Sequence, residues 1–333
     1  MSVLSLNCKG LGNPDAVAGL RDLVRIKAPT MIFLCETKLS GREMSKVKDK
    51  LEDYDGLEVD SEGRSGGLAF LWRKGIHCEF RSASTHYMDF EVQLGGQKWR
   101  VTGFYGWPAV ADRYLSWELL GILAQQSSIP WLCIGDYNEV LYSTEMKGGE
   151  RAQWQMNNFR NATDTCGLMD VPYVGYEYTF DNGQAENDNR QSRIDRAMVT
   201  ESWWELFPYA KLHHLVREWS DHAPIKLVLD DREGTSLCSK KIFRFEQFWV
   251  GEDCCEEAIR RACGKGNENL METLEMCAKE LQDWKGVTIG KVLKDLNTKR
   301  RQFERLNAGE RSREQICKRK KLIGEIAHLR RQK

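Results

Sequence analysis

Asp221 and His222 stand side by side in "REWSDHAPIKLVL", immediately ahead of an apolar run that alternates like a strand. Other short stretches carry carboxylates or amides in the same place. Asn7 closes "SVLSLN", Glu36 closes "MIFLCE", Asp136 and Asn138 close "WLCIGDYN", and Asp195 lies within "SRIDRAMV". Glu36, Asp136 and Asp221 offer the oxygen donors that chelate a hard divalent cation such as Mg²⁺, which usually keeps several of its waters. A cation held there would neutralise a phosphoryl oxygen, while a histidine balanced by a second carboxylate handles a proton or stabilises developing charge. The combination suits phosphate chemistry. Taken singly, each residue has a plainer reading: an acid after a strand is commonly a turn or cap residue, Asn138 suits a left-handed backbone, and His222 suits a satisfied surface imidazole. Their order and local sequence, taken together, favour chemistry.

The elements that must position these groups are legible as local patterns. "SVLSLN", "MIFLCE", "GGLAFLW", "WRVTGFY", "WLCIGDY", "SRIDRAMV" and "APIKLVL" are strand candidates. Helices fit "DAVAGLRDLVRI" and "RYLSWELLGILAQQ". Strands and helices mixed at this density predict a layered α/β or α+β domain, and strand ends are where its sites collect. After "DDREGTS" the texture changes. From Glu256 onward apolar residues recur at helical spacing, as in Ile289, Leu293, Leu296, Phe303 and Leu306, separated by Lys, Arg and Glu. The charge changes too: residues 1–231 hold 25 basic and 33 acidic side chains, residues 232–333 hold 24 and 16. A domain over 1–231 and a basic, mostly helical arm over 232–333 follow.

A chain of 333 residues at 41% hydrophobic and 10% aromatic can bury a sizeable core. Its longest apolar runs are too short to cross a bilayer, and no basic stretch leads into a long apolar run at the N-terminus. An intracellular protein of nucleus or cytoplasm is expected, neither secreted nor membrane-bound. The 11 cysteines include no C-x-x-C pair; Cys35, Cys133, Cys263 and Cys277 read as small buried hydrophobes rather than a disulfide framework.

In order along the chain, "SLNCKGLG", "FLCETKL", "TGFYG", "GDYNEV", "SRIDRAMV" and "SDHAPI" resemble the motifs of the endonuclease/exonuclease/phosphatase family, which includes apurinic/apyrimidinic endonucleases, DNase I-like nucleases and inositol polyphosphate 5-phosphatases. Within it, "NCKGLGNP", "ETKL", "SGGLAFLW", "GFYGWP", "GDYNEV", "YTFDN" and "RIDRA" are most similar to the endonuclease domain of plant LINE-type non-LTR retrotransposons. The resemblance implies a four-layer sandwich of the DNase I-like type, two packed mixed β-sheets flanked by helices, followed by a helical C-terminal arm. It also implies site roles. Glu36 is the principal metal ligand, with Asn7 and Asp221 near the ion, Mg²⁺ or Mn²⁺. Asp136 orients or deprotonates the attacking water, and Asn138 fixes Asp136 and the phosphate. His222, held by Asp195, contacts the scissile phosphate, and Tyr105 hydrogen-bonds the same phosphate or helps stabilise the leaving group. DNA is the implied substrate, with no small-molecule cofactor, and the protein is expected to be a monomer.

Departures from the family pattern bear on its use. Leu6 stands where many relatives have Trp, and Lys9 stands where repair-type apurinic endonucleases often have an acid, which lowers a repair assignment. His86, in the strand candidate "STHYMDFEV", reads as structural, held by packing and one hydrogen bond. LINE proteins resemble this chain through "KKIFRFEQFW" and continue into a reverse transcriptase, whereas no Y-x-D-D motif occurs here, so a truncated or host-encoded remnant of the endonuclease module is expected. The basic arm suits phosphate contacts with nucleic acid, though a charged helical face is more often simply solvated. Three functions stay open: a DNA-nicking, metal-dependent phosphodiesterase, a phosphatase on a small phosphorylated substrate, and a catalytically silent nucleic-acid-binding remnant.

Overall fold

The computed structural model describes residues 1–63, 65–94, 96–230, 253–265, 270–307 and 312–331. The expected boundary at 231/232 and the "KKIFRFEQFW" stretch lie outside them. Strands and helices follow in the order β1 (Ser2–Asn7), α1 (Pro14–Lys27), β2 (Met31–Cys35), α2 (Gly41–Asp49), β3 (Tyr54–Glu62), β4 (Ser65–Arg73), β5 (His77–Ser84), β6 (Tyr87–Leu94), β7 (Gln97–Tyr105), α3 (Tyr114–Gln125), β8 (Trp131–Asp136), β9 (Met146–Lys147) and α4 (Gln153–Thr165). Then come β10 (Leu168–Asp170), β11 (Tyr173–Val174), β12 (Phe180–Asp181), β13 (Gln191–Ser192), β14 (Asp195–Thr200), α5 (Glu201–Leu206), β15 (Lys211–His214), β16 (Ile225–Val228), α6 (Asp253–Lys265), α7 (Leu270–Asn307) and α8 (Arg313–Arg331).

Two mixed sheets form the architecture, in the orders β11-β15-β16-β1-β2-β4-β3 and β10-β14-β8-β7-β6-β5, with a small third sheet β12-β13-β9. β1 and β2 pair in parallel, and every residue of both is buried. Coverage on both faces is why they read as nearly continuous apolar runs. Their alternation still sorts the side chains into two cores. Val3, Met31, Phe33 and Cys35 join Phe70, Phe90, Val101, Leu132, Ile134 and Ala197 between the sheets. Leu4, Leu6, Ile32 and Leu34 point the other way, onto Ala16, Val17, Leu20 and Val24 of α1 and Met44 and Val47 of α2. Beyond the six-stranded sheet, Phe104, Trp131 and Cys133 pack on Leu120 and Leu123 of α3 and Phe159 of α4. Helices, sheet, sheet and helices are thus the four layers of a DNase I-like sandwich, and Leu6 fills its place in the outer core at 1% exposure.

α1 starts where Asn13 accepts a hydrogen bond from the Asp15 N–H and Pro14 takes the first turn. It stops at Ala28, left-handed at φ 43°, with Arg25 and Lys27 in the last turn. The two sheets approach very closely at one point: a Cβ on Gly103 would lie 2.2 Å from the Phe33 ring, so only glycine fits there.

The chain divides into two compact units, Met1–Arg232 with Glu310–Cys317 and Glu233–Gly309 with Lys318–Lys333. In the second, α7 and the part of α8 from Lys318 onward run antiparallel: Lys299 pairs with Glu325 at 2.7 Å and Arg319 donates to the Leu306 carbonyl. Leu296, Phe303, Leu322 and Ile326 are buried. The described residues from Asp253 onward are therefore almost all helical, as their apolar spacing predicts. Two local expectations need correction. Cys263 is exposed and Cys277 only half-buried, because helical placement alone does not decide which face a residue takes. No disulfide occurs among the described residues. His86 lies in the turn between β5 and β6, one step outside the strands its neighbours form.

Candidate active site

Alternation delivers the site. In β7, β8 and β14 the inward residues Val101, Ile134 and Ala197 line the core between the sheets, and Tyr105, Asp136 and Asp195 have the same parity at the strand ends. They also share one rung: Asp136 pairs with Tyr105 on one side and with Asp195 on the other. On the facing sheet the same parity runs from Val3 to Asn7. The three carboxyl and phenol groups and the Asn7 amide thus meet where the core opens.

Asn7 is the hub. Its amide donates to Glu36 Oε1 and to Asp136 Oδ2, both at 3.0 Å. Tyr105 donates its hydroxyl to Glu36 Oε1 at 3.0 Å. Asp136 Oδ1 accepts the Asn138 backbone N–H at 2.8 Å, while the Asn138 amide donates to the Gly106 carbonyl at 2.8 Å. His222 Nδ1 lies 2.9 Å from Asp195 Oδ2 and 3.8 Å from Asp136 Oδ2. Asp221 reaches the cluster through Lys9, whose Nζ pairs with Asp221 Oδ2 and whose backbone N–H donates to Asn7 Oδ1 at 3.1 Å. All eight residues singled out in the sequence therefore belong to one hydrogen-bonded cluster. Backbone strain gathers there too: Lys9, Glu36, Lys38 and Asn138 have φ between 49° and 55°. A side-chain-bearing residue in that region costs about 1 kcal/mol or more and persists where its surroundings hold it.

Two positioning residues escaped the sequence reading. The Ser220 hydroxyl donates to the Asn7 carbonyl at 2.7 Å and accepts the His222 N–H at 3.1 Å, tying the Asp-His loop to β1. Thr179 Oγ1 accepts the N–H groups of Ile194 and Asp195 at 3.1 and 3.0 Å, fixing the start of β14. Ser220 had a signal, a hydroxyl two residues before the histidine it holds. Thr179 is 15 or more residues from the groups it holds and had none. His86 stacks on Trp107 at 3.4 Å and places Nδ1 2.8 Å from the Tyr105 carbonyl; burial pushes its pKa down.

Electrostatics separate the groups. Burial pushes Asp136 up, and the Asp195 charge adds to this, to about 7 against the lowering effects of His222 and Asn7. Burial alone would push His222 down, but Asp195 and then Asp136 reverse it and raise it to about 10. Burial would likewise raise Glu36, yet hydrogen bonds from Asn7 and Tyr105 and the Lys38 ammonium hold it below its ordinary value. Burial, reinforced by Glu36, drives the Tyr105 phenol far up, so it stays a donor.

The two raised values make stability depend on pH with one sign. Each group binds its proton more tightly folded than unfolded, so its contribution is complete below the unfolded value and is lost as pH rises through the folded one. For Asp136 that window is 3.8 to about 7, and for His222 it is 6.5 to about 10. The melting temperature in chelator is expected to fall by several degrees between pH 6 and pH 10. His222→Gln should flatten the upper half of that slope. An unchanged slope in His222→Gln would show that His222 does not carry it.

Asp136, Asp195 and His222 offer ligand atoms within 4.8 Å of one another, a group that could hold a metal ion. Glu36 and Asp221 are paired with ammonium groups instead: Lys38 Nζ lies 3.3 Å from Glu36 Oε2, and Lys9 caps Asp221. Their carboxylate oxygens are the hard donors a hard divalent ion takes, and the two lysines compete with such an ion for them. No helix among the described residues is long and apolar enough to cross a membrane.

A family model described as "Endonuclease/Exonuclease/phosphatase family" matches residues 4–222. Solved structures of similar fold include the AP endonuclease of Leishmania major, at 15% identity over 68% of this chain and 86% of that one with a TM-score of 0.54. The 3'-5' exonuclease NExo from Neisseria meningitidis is similar at 16% identity, covering 69% and 100%, with a TM-score of 0.53. Beta toxin 275-280 from Staphylococcus aureus is similar at 14%, covering 68% and 99%, with a TM-score of 0.50. Likeness at these identities is one of fold. No curated protein matches the chain.

Proposed function

The chain belongs to the endonuclease/exonuclease/phosphatase family, and on that premise we propose that it is a metal-dependent phosphodiester hydrolase that nicks DNA. The observation that carries this reading is the pairing of a positively biased His222, 2.9 Å from Asp195, with a buried Asp136 whose pKa is raised toward neutrality. One group suits an anionic phosphate and the other a water proton.

Glu36, with Asn7 and Asp221, would hold Mg²⁺ or Mn²⁺. When bound, the ion supplies Lewis-acid neutralisation of a phosphoryl oxygen. Asp136, held by Asn7 and the Asn138 N–H, accepts the proton of the attacking water. His222, oriented by Asp195, faces the scissile phosphate and balances charge as the leaving oxygen departs. Tyr105 acts through Glu36, to which it donates. Positioning and charge stabilisation supply most of the catalysis in such an in-line displacement. The motif series "NCKGLGNP" to "RIDRA" supports a finer reading, target-site nicking of the kind plant LINE-type elements use, by a catalytic domain over 1–231 with 232–333 as an accessory arm.

Supercoiled plasmid incubated with the protein and Mg²⁺ is expected to relax to nicked circles, and EDTA should abolish the conversion. Phosphate release from an inositol polyphosphate with intact plasmid would replace the nuclease reading by a phosphatase one. No turnover of either would leave a silent binding protein.

A further inference from the structure

Lys9 occupies an unusual place, a cation resting on a carboxylate that the proposed function assigns to another cation. Its Nζ pairs with Asp221 Oδ2, a side chain only 16% exposed, while the lysine side chain itself is 58% exposed. Its backbone is held left-handed at φ 51°, with its N–H on Asn7 Oδ1 and the next N–H, of Gly10, on the Glu36 carbonyl at 2.8 Å. Glycine or asparagine would take that conformation at lower cost. The base of Lys9 is thus fixed beside Asn7 and Glu36, and its four-carbon stem is free to move the ammonium.

We propose that Lys9 is a cation-controlled phosphate contact. It rests on the assignment of Asp221 to the metal. Paired in this way, the ammonium neutralises Asp221. Were Asp221 to hold a divalent ion, the ammonium would no longer be needed there and would turn outward, away from the added positive charge. There the unbalanced negative groups are the phosphates of the DNA strand. Cation and DNA then favour each other's binding, each by the same factor.

Two measurements on the full chain test this. Calorimetric titration of Mn²⁺ without DNA is expected to show Lys9→Met binding roughly three- to tenfold more tightly than wild type, the effect of removing one competing, partly exposed charge. Equal or weaker binding by Lys9→Met overturns the proposal while leaving the metal site intact. Absence of Mn²⁺ binding by wild type instead overturns the metal assignment and this inference with it. Binding of a duplex oligonucleotide is then followed against salt in a His222→Ala background, whose slowed cleavage leaves the duplex uncut over the binding measurement. With Mn²⁺, the log–log slope should be steeper by about one when Lys9 is present than in Lys9→Met, and in EDTA the two slopes should agree. A slope difference that is the same in EDTA and Mn²⁺ makes Lys9 a constant contact and overturns cation control.

Discussion

His222→Ala is expected to lower the plasmid-nicking rate by roughly 10² or more, with no recovery as Mg²⁺ or Mn²⁺ is raised. The imidazole is buried, paired to Asp195 at 2.9 Å and biased toward its charged form, so its loss removes the one positive group between two carboxylates. No added metal restores a charge at that point. Asp195→Asn should follow it, because the asparagine can no longer stabilise the imidazolium it orients, even with Thr179 still holding its N–H. Rates are compared only for variants whose melting transition remains cooperative. Recovery of His222→Ala by metal would remove His222 from the role proposed for it.

Glu36→Gln is expected to behave oppositely: a fall of roughly tenfold or more at low metal, partly recovered as metal is raised. The substitution is close to isosteric. An amide oxygen in the place of Oε1 can still accept from Asn7 and Tyr105, so the cluster keeps its shape. What disappears is the charge at Oε2, now shared with Lys38 at 3.3 Å. Weaker attraction for a cation is a mass-action defect, which concentration offsets. Wild-type rates for Glu36→Gln at low metal would show that the ion is held elsewhere, with Asp136, Asp195 and His222 the alternative group. The metal titrations of the two variants therefore separate holding the ion from handling the phosphate.

The contrast between these side chains also shows how far local sequence reaches. Strand identity was readable because alternation is a period-2 signal within a few residues, and the parity that puts Val101 and Ile134 in the core carries on to Tyr105 and Asp136. The helical C-terminal segment was readable from its 3.6-residue spacing in the same way. Motif order pointed to the eight residues that meet in the cluster. His86 slipped from strand to turn because a hairpin's reversal point depends on the pairing of β5 with β6, which shifts register between Phe80 and Ser82. Cys263 and Cys277 were misjudged for a similar reason, since the face a helix buries depends on what it packs against.

From the sequence alone came the strands that carry the site residues, helices α1 and α3, the helical C-terminal segment, the family resemblance with the layered sandwich it implies, and the residue types of a candidate phosphate site. Short strands such as β9 to β13 and the helices α2, α4 and α5 carry too little local pattern and went unread. Tertiary structure decided who touches whom. The shared rung of Tyr105, Asp136 and Asp195 depends on the strand order β14-β8-β7, and the Asn7 bridge between Glu36 and Asp136 depends on two sheets packing face to face. The Ser220 and Thr179 ties and the Lys9 ammonium on Asp221 join segments 15 to 213 residues apart. The physical reason is range: backbone periodicity and turn chemistry act over a few neighbours, whereas hydrogen bonds and charge pairs act across space, between residues that only the packed fold makes neighbours.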